Sequence, residues 1–155
     1  MARLSLSTPL DVRLLEKGLS AGEALAAFNA AHGEAGGIVS FLGKVRPDGG
    51  VKALELSHYD KLTLAGMHSL AQAAHDRFQL VGVLAWHRIG VMTPGEPIVL
   101  VATAARHRRD AFEAADYLMD HLKAAAWFWK RERRSDGWHW IEPREQDRID
   151  LDRWN

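Results

Sequence analysis

The residues best suited to chemistry lie in one stretch, from Arg106 to Glu132. It opens with Arg106-His107-Arg108-Arg109-Asp110 and continues through a helical pattern that carries Lys123. It closes on Trp127-Phe128-Trp129-Lys130-Arg131-Glu132. At a helix N-terminus, free backbone N–H groups and the helix dipole favour negative charge, and arginine adds bidentate recognition of phosphate. Spacing leaves an anion site and a plain solvated surface both open there. Lys123 follows Leu122 at the border of the helix's apolar stripe. A lysine in that position either lays its stem on apolar surface and keeps its ammonium in water, or projects into a cleft beside the core. The run 127–134 has aromatics to stack bases and cations for phosphates. Trp127 and Trp129 nevertheless follow a core helix directly and read as its anchors.

A second cationic pair, Lys44 and Arg46, is spaced so that an unbroken strand would point both side chains to one face. By spacing alone it reads as a solvated strand edge. The 20 basic and 20 acidic side chains cancel, so no global field draws the chain to nucleic acid or membrane. Cysteine is absent, which excludes disulfides, cysteine-based zinc sites and a thiol nucleophile. There is no glycine-rich phosphate loop and no Gly-x-Ser-x-Gly elbow. His68 and His75 lack a carboxylate at ligand spacing, so no metal site is expected. What stands out is a set of lysines and arginines from three separate segments. Such a set suits binding a phosphorylated small molecule and stabilising negative charge as it develops. The start lacks a long apolar run and nothing later reads as a membrane span, so the expected location is cytoplasmic.

These residues need elements to hold them. Residues 3–7 alternate like a strand, and Ser20-Ala21-Gly22-Glu23 is a capping box for a helix ending near Gly33. Gly36-Gly37 opens a buried strand over 38–42, and Gly43 marks a bulge or a close backbone approach. The turn Pro47-Asp48-Gly49-Gly50 and a return strand over 51–59 complete a hairpin. A helix over 62–78 is expected to bury Leu62, Ala65, Leu70, Ala73, Ala74 and Phe78. Strands over 81–89 and 98–104 are apolar on both faces, one for helices and the other for a second sheet or subunit. His87, within the first of them, reads as structural. Asp110 and Glu113 form a capping box for the next helix, whose stripe is Phe112, Ala115, Leu118, Met119, Leu122 and Ala126. A short strand follows over 138–141, then a loop or loosely docked helix. The 155 residues fit one domain of α+β class.

Taken together, several segments resemble the large, catalytic subunit of molybdopterin synthase. They are Gly37-Ile38-Val39-Ser40-Phe41-Leu42-Gly43-Lys44-Val45-Arg46, Leu54-Glu55-Leu56-Ser57-His58-Tyr59, His87-Arg88-Ile89-Gly90 and Pro94-Gly95-Glu96. They continue through His107-Arg108, Ala111-Phe112-Glu113-Ala114, Tyr117-Leu118-Met119-Asp120 with Lys123, Trp127 to Glu132, and Arg144-Glu145. The likeness covers residues 36–147 in order; residues 1–35 match loosely and 148–155 read as a tail. It implies an α/β-hammerhead-like fold with mainly antiparallel sheets and two to three helices. It also implies sulfur transfer from the C-terminal Gly-Gly thiocarboxylate of a small sulfur-carrier subunit to cyclic pyranopterin monophosphate, forming the dithiolene of molybdopterin. No resident cofactor or metal is implied. The partners would be that small subunit and a second copy of the chain, as a homodimer within a heterotetramer. Carried over by resemblance, Lys123 is the central catalytic residue, assisted by Lys130. Substrate binding falls to Lys44, Val45, Arg46, His107, Arg108, Lys123, Lys130, Arg131, Glu132 and Arg144. The turn after Arg46 is short for the family, and Arg106 and Arg109 make its segment more basic than the pattern requires. A non-catalytic scaffold for the small subunit and a nucleic-acid-binding module are the competing readings.

Overall fold

Strands β4 (Gly82–Arg88) and β6 (Pro97–Ala105) pair antiparallel at the centre of the first sheet of a computed structural model, which describes residues 9–125 and 127–155. β2 (Gly37–Lys44) flanks β6 antiparallel, and β1 (Leu10–Leu15) flanks β4 in parallel, giving the order β1-β4-β6-β2. The expected strand over 3–7 lies outside the described residues, and β1 was not anticipated. The pleat sorts the central strands into two apolar faces. Leu84, Leu100, Ala102 and Ala104 meet Ala24 and Phe28 of α1 (Ala21–Ala31). Val83, Ala85, Val99 and Val101 meet Met67, Leu70 and Ala74 of α2 (Asp60–Arg77) and Ala114 and Leu118 of α3 (Arg108–Ala124). Helices therefore cover both faces, not helices on one and a second sheet or subunit on the other.

A second sheet runs β5-β3-β7-β8, built from Gly90–Met92, Ala53–His58, Phe128–Arg134 and Gly137–Ile141, with every pairing antiparallel. The chain passes from β4 of the first sheet into β5 of the second at Gly90, whose φ of 88° a side chain would disfavour. Val45, Leu56, Met92 and Ile98 seal the junction, with Leu54 and Phe128 packed against them. α4 (Glu145–Asp152) docks on α3. Arg153 pairs with Asp116 and Asp120, and the Trp154 indole N–H donates to Asp120 Oδ2 at 2.7 Å. The mixed α+β class and the mainly antiparallel pairing agree with the sequence reading, but the described residues form four helices where two to three were expected, because the polar tail after Arg144 folds into α4.

Four local expectations are corrected. The segment 38–59 is not a hairpin, because β2 belongs to the first sheet and β3 to the second. β2 is an exposed edge strand and not a buried one, with Phe41 45% accessible. α2 buries Thr63, Met67, Leu70, Ala71, Ala74 and, at its C-cap, Phe78, while Leu62, Ala65 and Ala73 face outward. α3 begins at Arg108 after the N-cap His107, one turn earlier than an Asp110 cap, and its Phe112 is 62% accessible. In both helices alanines satisfy the 3.6-residue pattern on more than one face, so periodicity alone misjudges the buried arc by a fraction of a turn. Ala126 lies outside the described residues. Ser20 does cap α1, without a side-chain capping bond.

Candidate active site

The C-terminal end of α3 opens on a cavity of about 280 Å³, walled by His87, Leu122, Lys123, Phe128, Lys130, Ile141 and Asp147, among others. Each wall has a local reason. Lys123 lies in the last turn of α3, beside Leu122, which is anchored in the core. Lys130 projects from β7 two residues after Phe128, so strand alternation turns both side chains to the same face. Phe128 stacks on His87 at a centroid distance of 4.1 Å and ties the two sheets together at this point. Asp147 arrives from the first turn of α4 and is only 9% accessible.

His87 is 8% accessible, and its Nδ1 donates to the carbonyl of Arg88 at 2.8 Å. Burial pushes its pKa down to about 4, and the positive charges of Lys123 and Lys130 push the same way. The imidazole is therefore neutral near pH 7, with Nε2 left as an acceptor. His87 is structural, as its sequence position suggested, and it is also part of the cavity wall.

Lys123 has a pKa below the ordinary lysine range. The neighbouring protein strips water from its ammonium, which is the largest cause, and Lys130, Arg144 and Arg46 repel it, while Asp147 acts in the opposite direction. Its side chain is still open to the cleft, so crowding on the walled side rather than full enclosure lowers the value. A lysine in this setting gives up a proton more readily than one in water and remains a strong anion ligand while charged.

The residues expected to act together fall into separate groups. Lys123 and Lys130 line the cavity, and Arg144 and Arg46 lie near enough for their charges to act on Lys123. His107 and Arg108 lie exposed at the other end of α3, about 22 Å away by the helix rise, and no hydrogen bond or ion pair engages either side chain among the described residues. One chain does not bring both groups to a single ligand. β2 ends at Lys44, after a register shift at Gly43/Lys44 where a side chain on Gly43 would meet Val99 at 2.7 Å, so Arg46 lies beyond the strand and the two cations share no strand face. Both sequence readings of Gly43, a bulge and a close approach, hold. Val45 is buried in the seam between the sheets, so its side chain is structural, and Lys44 is exposed. Arg131 points to the face of β7 opposite Lys130, where it makes a bidentate pair with Glu55 at 2.8 and 3.1 Å and stacks over Trp138. Glu132 accepts from Arg134 at 2.8 Å.

Two features escaped the sequence reading. Asp147 stands in a polar tail whose pattern carries no sign of burial; the detectable signal was its i,i+3 spacing from Arg144, with which it pairs at 3.4 Å. The segments His87-Arg88-Ile89-Gly90 and Pro94-Gly95-Glu96 form one structural clamp. Buried Arg88 reaches Glu96 at 3.5 Å, and Glu96 accepts from the backbone N–H and hydroxyl of Thr93. Trp127 fits against Gly66 of α2, and its carbonyl accepts from the Thr63 hydroxyl at 2.9 Å, so it anchors the helices as expected. Trp129 packs on Tyr59.

Comparison with known proteins gives this geometry a context. The family model described as MoaE protein matches residues 14–125. The molybdopterin synthase catalytic subunit of Caulobacter vibrioides is 48% identical, over 93% of this chain and 97% of its own. Among solved structures, the molybdopterin biosynthesis MoaE protein of Burkholderia ambifaria superposes with a TM-score of 0.81 at 36% identity, covering 94% of this chain and 97% of that one. A 19% identical chain in the Helicobacter pylori complex of subunits 1 and 2 of molybdopterin-converting factor shares the fold, with a TM-score of 0.75, covering 86% and 91% of the two chains.

Proposed function

Because the chain belongs to the MoaE protein family, we propose that it is the catalytic subunit of a molybdopterin synthase, a sulfurtransferase of molybdenum cofactor biosynthesis. Sulfur arrives as a thiocarboxylate on the C-terminal glycine of a small sulfur-carrier subunit and passes to cyclic pyranopterin monophosphate. The observation that carries this reading is the cavity in which Lys123 and Lys130 stand together beside a neutral His87. Thiocarboxylate and phosphate are both anions, and a partly dehydrated pair of ammonium groups binds anions more strongly than the same pair in water. Lys123 holds the thiocarboxylate and donates a proton as sulfur adds and oxygen leaves, a role suited to a lysine whose pKa lies below the ordinary range. Lys130 shares the developing charge. Arg46 and Arg144 hold the substrate's phosphate and pterin from the cavity rim.

His107 and Arg108 complete the site from a second copy of the chain. Their exposure and distance from Lys123 within one chain support that assignment. The exposed edge strand β2, with Phe41 and Leu42, and the neighbouring Phe112 of α3 supply an apolar surface for such a homodimer. Arg131 and Glu132 shape the site through the second sheet, and Lys44 contributes at its edge. The small subunit approaches the open groove formed by Tyr59, Trp129, Trp140 and Pro143 next to the cavity. No helix among the described residues is long and apolar enough to cross a membrane.

The test combines the purified protein with thiocarboxylated small subunit and the cyclic pterin and follows the dithiolene product. Product formation that falls steeply in Lys123→Ala is the expected result. Complex formation without turnover would instead make the chain a scaffold and end the catalytic reading.

A further inference from the structure

α4 does more than close the fold. The latch at its far end is built from two aspartates of α3: Arg153 bonds Asp116 at 2.7 Å and Asp120, and Trp154 bonds Asp120 while packing edge-on against Phe78 and Tyr117. Asp116 and Asp120 precede Lys123 on the same helix, so the latch fixes α4 to the element that carries the lysine. At the near end of α4, Asp147 is buried and lines the cavity that Lys123 also lines. One carboxylate oxygen takes the Arg144 guanidinium at 3.4 Å, and the other has no partner among the described residues. A buried carboxylate that lines a cavity beside ammonium groups, held by one guanidinium, calls for an explanation beyond helix capping.

We propose that Asp147 is a positioning residue for Lys123: the α4 latch holds its carboxylate against the cavity, where it keeps the lysine in its ammonium form among the surrounding cations. The charged and titratable groups facing Lys123 are Lys130 on β7, His87 on β4, Arg46 ahead of β3, Glu142 on the cavity rim, and Arg144 and Asp147 at the start of α4. Burial and the positive members of this set favour the neutral amine, whereas Asp147 favours the ammonium. The inference rests on the cavity being the reactive site, since only there does the protonation state of Lys123 matter to function. Its chemistry is general: a proton donor must be charged when its anionic partner arrives, and a fixed carboxylate nearby secures that without occupying the donor.

The test reads Lys123 directly and needs no turnover. Intact protein is treated with trace acetic anhydride across a pH series, and labelling of each lysine is measured by peptide mass spectrometry. In Asp147→Asn the labelling midpoint of Lys123 moves toward acid by about one unit, so below the midpoint the lysine is labelled about tenfold faster. Asp147→Glu restores most of the shift. Arg153→Met, which loosens the latch outside the cavity, moves the midpoint the same way by less. Exposed Lys17 and Lys52 serve as internal controls and keep their profiles. An unchanged Lys123 midpoint in Asp147→Asn overturns the proposal. So does a change shared by Lys17 and Lys52, which would mark general loosening. A midpoint that moves in Asp147→Asn but not in Arg153→Met removes the latch from it. Should the midpoint shift as expected in a protein that makes no dithiolene, the proposed activity falls and the placement of Asp147 stands.

Discussion

The two ends of α3 carry the same kind of residue in opposite settings. At the N-terminal end, His107 and Arg108 stand in solvent with unpaired side chains, ahead of a helix dipole that favours anions. At the C-terminal end, Lys123 stands in a walled cavity with His87, Lys130 and Asp147. One helix separates them by about 22 Å, so a single ligand cannot touch both ends of the same chain. The walled end is a complete local environment that changes the chemistry of its lysine. The open end is a recognition surface without walls, and it becomes a site only against something else. The helix dipole favours anions at the open end and opposes them at the lysine end, so the anion affinity of the cavity must come from its side chains.

This contrast can be broken in order of expected effect. Lys123→Ala is expected to lower the turnover number by about 10²–10³, the usual cost of removing a preorganised charge-stabilising donor. Arg108→Ala should mainly raise KM; a purely catalytic loss there would erase the distinction between the two ends. Mixing the two variants under conditions of subunit exchange, at a substrate concentration far below the raised KM of Arg108→Ala, sharpens the point. Half of the dimers formed are mixed, and each of those holds one intact site of two, so about a quarter of wild-type activity returns. Absence of recovery would mean that one chain supplies both groups.

The walled end also predicts a pH dependence of stability. His87 is held neutral in the fold, with its pKa lowered from 6.5 to about 4, so below 6.5 the unfolded chain takes up a proton that the folded chain refuses. Its contribution is fully present above pH 6.5 and lost as pH falls to about 4, amounting to about 3 kcal/mol. Denaturant titrations between these limits should show that loss, and His87→Gln should flatten it. At the open end, a side chain on Gly36 would lie 2.0 Å from the carbonyl oxygen of Arg106. Gly36→Ala must therefore push back the segment leading to His107, at a cost of about 1–3 kcal/mol, and KM should rise with little change in turnover. The smallest effect is expected at Arg131→Met. Its partly buried pair with Glu55 is worth about 1 kcal/mol, so Tm falls by a few degrees while activity is kept. A loss of activity comparable to that of Lys130→Met would return Arg131 to the substrate.

The contrast between the ends was only partly legible in the sequence. Lys123 could be placed at the border of an apolar stripe, because helical periodicity reports direction relative to a core. Gly43 could be assigned a close approach, because a glycine within a strand has few other uses. The hairpin over 38–59 failed for a physical reason: a turn with the right residues says that the chain reverses, not which neighbour each strand will pair with. β2 found β6 and β3 found β7, both remote in sequence, and the choice was made by the apolar faces that those pairings buried.

Residue types and their order determined the α+β class, the central apolar strands, the helix bearing Lys123 and the cationic segments that resemble the family's site. Tertiary structure alone decided which cations share a cavity. It turned Arg131 away into an ion pair, separated His107 and Arg108 from Lys123, neutralised His87 by burial, and folded a polar tail back to set Asp147 in the cavity wall. Periodicity is a local property of the chain, whereas desolvation and charge coupling depend on which distant segments meet.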